Sequence, residues 1–160
     1  DYAEAHNNWG NTLLALRRPQ EAVVHYKETL RLKPDLADAH NNWGNALQAL
    51  GRPREAAVHY EETLRLKPDL ADAHNNWGNA LLALGHLQEA GGHYEETLRL
   101  KPDFAEAHNN LGVIHAKSGR LTDAIKYFEQ AVRLKSDYTD AQNNLRQVRA
   151  LLQQQGANGQ

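Results

Sequence analysis

The chain contains no cysteine and no methionine. Disulfide staples and thiol chemistry are excluded at once. Aromatic residues are scarce, 7% of 160, and only two are Phe. No apolar run approaches the roughly 20 residues that a membrane-crossing helix needs, so no membrane partner is expected. No signal-peptide pattern is present, and residue 1 is Asp rather than Met, so the sequence reads as a processed or trimmed piece. Excess charge is missing too. Lys and Arg number 18 against 20 Asp and Glu, for a net −2 and a pI near 6.5. No basic field exists to hold nucleic acid or an anionic lipid surface. The sequence lacks a nucleophile elbow, a phosphate loop, an HExxH helix and paired catalytic carboxylates. No enzyme activity, catalytic residue or cofactor is therefore expected. The lack of cysteine does not fix a compartment, and a cytoplasmic one is favoured.

What is present is repetition. ADAHNNWGNALQAL at 37–50 recurs as ADAHNNWGNALLAL at 71–84, AEAHNNWGNTLLAL at 3–16 and AEAHNNLGVIHAKS at 105–118, each 34 residues apart. Residues 37–70 and 71–104 differ at only seven positions, which points to recent duplication or deliberate design. Wound at about 100° per residue, the segment separates into two faces. Ala39, His40, Trp43, Gly44, Leu47 and Leu50 form a packing side, and Asp38, Asn41, Asn42 and Asn45 form a polar one.

Each unit predicts two helices. First helices are expected near 3–16, 37–50, 71–84 and 105–118, and second helices near 19–32, 53–66, 87–100 and 121–134. Gly51, Gly85 and Gly119 suit the left-handed stop after a first helix, where Arg17 should be mildly strained. Pro19 and Pro53 suit a first helical turn, and Pro34, Pro68 and Pro102 end the second helices. Gly91 and Gly92 fall inside a second helix and should make it the least stable internal one. The expected organisation is one array over 1–155, with units near 3–36, 37–70, 71–104 and 105–138. A final helix at 139–155 caps the open end, and 156–160 is expected to be disordered.

These units resemble the tetratricopeptide repeat. The pattern falls on His40, Trp43-Gly44, Leu47, Ala56, Tyr60 and Pro68, with matching positions in the other units. Trp9-Gly10, Leu13, Ala22 and Tyr26 carry it in the first, Trp77-Gly78, Leu81, Ala90 and Tyr94 in the third, and Leu111-Gly112, Ala124 and Phe128 in the fourth. The resemblance implies an all-α, right-handed superhelical solenoid of antiparallel helix pairs, whose first helices line a concave groove. Trp in place of Leu at 9, 43 and 77 departs from the pattern, and these rings are expected in the core.

The candidate site is the polar side. Asn7, Asn8, Asn11, Asn41, Asn42, Asn45, Asn75, Asn76, Asn79, Asn109 and Asn110 repeat along it, with Asp38 and Asp72 beside them. Asn is a mediocre helix former, about 0.6 kcal/mol worse than Ala per site, so its repeated use needs a return. A side-chain amide both donates and accepts, and so can pair with a peptide backbone without reading its sequence. The face also resembles the asparagine-lined arrays attached to sugar-transferring enzymes. The expected partner is a protein or extended peptide, with Asn8, Asn42, Asn76 and Asn110 foremost. The acids also suit the first-turn dipole, which is the favoured reading of that row. Nine His invite a metal, but like positions lie a full repeat apart and no HxxxH pair occurs, so none is expected. Two alternatives stand beside the peptide scaffold. One is a self-assembly module stacking homo-oligomers through exposed repeat ends. The other is a recruitment domain cut from a larger enzyme.

Overall fold

The computed structural model describes residues 2–158. Among them the structure is all-α, with nine helices. They are α1 (Tyr2–Ala15), α2 (Pro19–Leu32), α3 (Ala37–Ala49), α4 (Pro53–Leu66), α5 (Ala71–Ala83), α6 (Leu87–Leu100), α7 (Ala105–Lys117), α8 (Leu121–Leu134) and α9 (Thr139–Asn158). The chain divides into two compact units, Asp1–Ala90 and Gly91–Gln160.

Local chemistry sets the helix ends. Gly51, Gly85 and Gly119 have φ of 69°, 83° and 75°, and Arg17 takes φ 58° in the same place. The reversal ties off carbonyls left open at each helix end: the Arg52 amide donates to Leu47 O at 2.9 Å and the Gly51 amide to Gln48 O at 2.9 Å. Pro19 and Pro53 open α2 and α4, where a missing N–H costs nothing. The last helix runs to Asn158, three residues past the boundary expected at 155. Gly159 and Gln160, the rest of that tail, lie outside the described residues.

Within each unit, glycine lets a first helix lie directly on the aromatic ring of the second. Tyr26, Tyr60 and Phe128 are fully or almost fully buried under Gly10, Gly44 and Gly112. In the first unit Leu13, Ala22, Tyr26 and Ala46 make one cluster, and Leu47, Ala56, Tyr60 and Ala80 the next. Val23 and Trp43 pack on both and join them. In the second unit Leu121, Ala124, Phe128, Leu145 and Val148 form the core, so α9 closes over the α7–α8 pair. First helices also neighbour one another: α1 touches α3, α3 touches α5, and α7 touches α9.

The tryptophans correct an expectation. Trp43 and Trp77 are half-buried, but Trp9 is 59% exposed. Trp43 is covered on one side by Val23 of the preceding hairpin. Among the described residues no helix precedes α1 to do the same for Trp9. His25 stacks on it at 4.5 Å between ring centroids.

Candidate functional site

The amides on the first helices fall into three positions with different surroundings. The first position holds Asn7 and Asn41, half-buried, and Asn75 and Asn109, which are buried. The second holds Asn8, exposed, and Asn42, Asn76 and Asn110, half-buried. The two positions join neighbouring first helices. Asn42 Nδ2 donates to Asn7 Oδ1 at 3.5 Å, Asn76 Nδ2 to Asn41 Oδ1 at 3.4 Å and Asn144 Nδ2 to Asn109 Oδ1 at 3.0 Å. Each bond uses one of an amide's two N–H groups and one of its lone pairs, so the half-buried members keep further capacity. The Asn75 oxygen, at the same position, is buried without a hydrogen-bond partner.

The third position is spent differently. Tyr26 OH donates to Asn11 Oδ1 and Tyr60 OH to Asn45 Oδ1, both at 2.8 Å. These amides satisfy hydroxyls whose rings lie in the core, as a buried polar group requires. Burial lifts the Tyr26 phenol to about 12 and raises Tyr60 as well. Asn79 is half-buried at the same register. In the second unit this register holds Val113, and an apolar cavity of about 260 Å³ opens there. Val113, Ala116, Phe128, Val148 and Leu151 line it with Asn144 among the polar residues at its edge.

Two of the acids are tied into the scaffold. Lys67 Nζ lies 2.8 Å from Asp38 Oδ1, and Lys33 Nζ lies 3.5 Å from Glu4. Glu4, Asp38, Asp72, Glu106 and Asp140 all stand in first turns, and Asp72 is exposed. Exposed pairs of this kind contribute about 0–1 kcal/mol, so they bias the local field more than they hold the fold.

Two features escape a sequence reading. Gln48 Nε2 donates to Tyr60 OH at 3.0 Å and to Asn76 O at 2.9 Å, fastening α3 to the backbone of α5. Leu stands at that register in the units on either side, so only the exchange itself could have marked it. Four of the histidines stand in two pairs. His6 Nδ1 lies 2.9 Å from His25 Nδ1, and His40 Nδ1 lies 3.2 Å from His59 Nδ1. Their 34-residue repeats were visible in sequence, but the 19-residue pairing needs the hairpin. The His40 Nε2–H donates to Pro34 O at 3.0 Å, which leaves Nδ1 as acceptor and assigns the shared proton to His59. Burial, then the neighbouring His40, pushes the His59 imidazole down to about 4. Among the described residues no group of three or more His, Cys, Asp or Glu could hold a metal. No helix of the described residues is long and apolar enough to cross a membrane.

Helix hairpins that share clusters through Val23 and Trp43, with amides bonded along their first helices, define an α-helical repeat protein. Tetratricopeptide-repeat models match residues 41–103 and 75–139 in one case and 1–69 in another. The chain belongs to the tetratricopeptide repeat family, and its fold is the helical-repeat solenoid of that family. Pseudomonas aeruginosa PilF aligns with a TM-score of 0.86 at 22% identity, covering 96% of this chain and 70% of that one. The thermophilic tetratricopeptide-repeat protein TTC0263 of Thermus thermophilus aligns at 0.80 and 20% identity, covering 94% and 82%. The first such domain of Spaghetti (RPAP3), bound to the HSP90 peptide SRMEEVD, aligns at 0.70 and 22% identity, covering 72% and 92%. At these identities the likeness is one of fold. A search among curated proteins found no match.

Proposed function

We propose that this chain is a non-catalytic scaffold that holds an extended polypeptide along its first-helix face. The observation that supports this is the run of amide bonds between adjacent first helices, with Asn8 exposed and Asn42 and Asn76 half-buried beside them. Neighbouring helices lie about 8–10 Å apart, and an extended chain advances about 3.3 Å per residue. One amide position then meets the guest about every third residue. Backbone pairing of this type gives affinity with little sequence preference, and the polar face suits a guest rich in donors. That an aligned family member binds a peptide is consistent with this use of the fold. Asn8, Asn42, Asn76 and Asn110 are the principal contacts. Asn7 and Asn41 support them, and Asn11, Asn45 and Asn79 line the edge. Asn75 and Asn109 are too deep to touch a guest directly, and Asp38 and Asp72 set the sign of the field.

The test is a peptide-array screen of the wild-type chain against a variant with Asn8, Asn42, Asn76 and Asn110 changed to Ala. Circular dichroism on both confirms that the variant remains helical. Broad loss of binding by a folded variant is expected, and equal binding by both removes the amides from the mechanism. A second reading, end-to-end self-assembly, is favoured by the exposure of Trp9 and Leu16, 59% and 61%. Light scattering separates the two, because a monomer at every concentration rules out assembly.

A further inference from the structure

The second unit contains a cavity of about 330 Å³ lined by His108, His115, Asp123, Lys126, Tyr127 and Gln130. That volume lies within the range of small-ligand pockets. Three of its residues depart from the rest of the array. His115 stands where Leu13, Leu47 and Leu81 are buried core residues. Tyr127 stands where the other units carry His25, His59 and His93, and Lys126 where they carry Val24, Val58 and Gly92. The paired imidazoles of the first unit are thus replaced by a histidine facing a tyrosine, with ring centroids 6.1 Å apart.

Two ring nitrogens of the cavity make no hydrogen bond. Nδ1 of both His108 and His115 is buried and has no hydrogen bond. His108 Nε2 lies 2.9 Å from Pro102 O, so that nitrogen carries the proton and Nδ1 is a bare acceptor. His115 packs against Tyr127 at 4.9 Å between centroids, with Asp123 Oδ2 4.0 Å from its Nδ1. Burial lowers the His115 pKa, so the ring does not add positive charge at neutral pH. Lys126 holds Asp123 at 3.0 Å from the same helix, but 71% of its side chain is exposed and free to swing aside. The cavity therefore presents acceptors, one carboxylate and an aromatic face.

We propose that this cavity binds a guanidinium group. A guanidinium is planar, stacks on an aromatic face and carries five N–H donors, so one group can pair with the Asp123 carboxylate and still offer N–H groups to a neutral acceptor. An ammonium carries the same charge but lacks the planar fork that meets a carboxylate through two parallel N–H groups. None of these residues belongs to the amide face, so the two readings stand or fall separately.

The test follows the imidazole Cε1–H resonances of His108 and His115 during titration with methylguanidinium and with N-acetyl-arginine amide. N-acetyl-lysine amide and NaCl at matched ionic strength are the controls. Saturable shifts of both resonances by the guanidinium ligands, well beyond those from the lysine compound, are expected. Asp123→Asn should weaken binding about tenfold through loss of a charge-assisted bond. Lys126→Gln should tighten it about twofold by removing a competitor for that carboxylate. Binding of both ligands assigns the site to an arginine side chain of a partner, and binding of methylguanidinium alone assigns it to free guanidinium compounds. No saturable shift, an equal response to the lysine compound, or unchanged affinity in a folded Asp123→Asn chain overturns the proposal.

Discussion

At Gly44 an added Cβ would lie 2.5 Å from Tyr60 Cε1, closer than any real contact allows. The ring is fully buried and bonded through its hydroxyl to Asn45 and Gln48, so it cannot retreat cheaply. Gly44→Ala should therefore destabilise the chain by about 1–3 kcal/mol despite its better helix propensity, measured by urea unfolding. Gly92→Ala is the contrast, because a Cβ there meets nothing within 4 Å. His59 carries a second prediction at this scale. Its folded pKa of about 4 lies below the ordinary 6.5, so the unfolded chain binds the extra proton. Its contribution is fully present above pH 6.5 and is lost as pH falls toward 4. Melting temperature should fall between pH 7 and 5, and fall less in a His59→Gln chain, where that proton site is gone. Identical pH slopes for the two proteins would contradict this account.

Among the elements, α6 combines a correct helical pattern with two poor helix formers. The helix is continuous over Leu87–Leu100, yet the two compact units divide inside it, between Ala90 and Gly91. Gly91 is buried, but an added Cβ would meet only Ile114 Cδ1 at 3.8 Å, an ordinary contact. Changing Gly91 and Gly92 together to Ala should stabilise the chain by about 1–2 kcal/mol, and calorimetry should show a higher melting temperature. In the wild type, amides of α6 should exchange faster than those of α4, which has Ala57 and Val58 in the same places. Equal protection of the two helices would show that tertiary packing has overridden the glycines. Helix limits were legible in the sequence because they depend on neighbours along the chain, as the φ of Arg17 and the three glycines shows.

For the whole molecule, a repeat array gains stability from intrinsic and nearest-neighbour terms, and cooperativity can lapse where a junction is weak. All three Trp lie in residues 1–90, so indole fluorescence reports the first unit alone. Far-UV circular dichroism reports both. Thermal unfolding followed by the two probes should give different midpoints, as expected when a chain does not unfold in one step. Coincident curves would show that the glycine pair does not interrupt cooperativity.

The sequence by itself determined the family, the helix order and the residues that turn each hairpin. These follow from periodicity and backbone preference, which act over a few residues and repeat every 34. It also placed the amides on one helical face, because helical phase follows directly from spacing. Only the tertiary structure decided what each amide touches. Asn11 meets a tyrosine hydroxyl, Asn42 meets α1, the first helix of the preceding hairpin, and Asn75 is buried, although all three lie on the same helical side. The fate of Trp9 and the pairing of His40 with His59 were decided in the same way. Burial and hydrogen bonding depend on which helix lies opposite, and that is a property of the packed chain rather than of any residue within it.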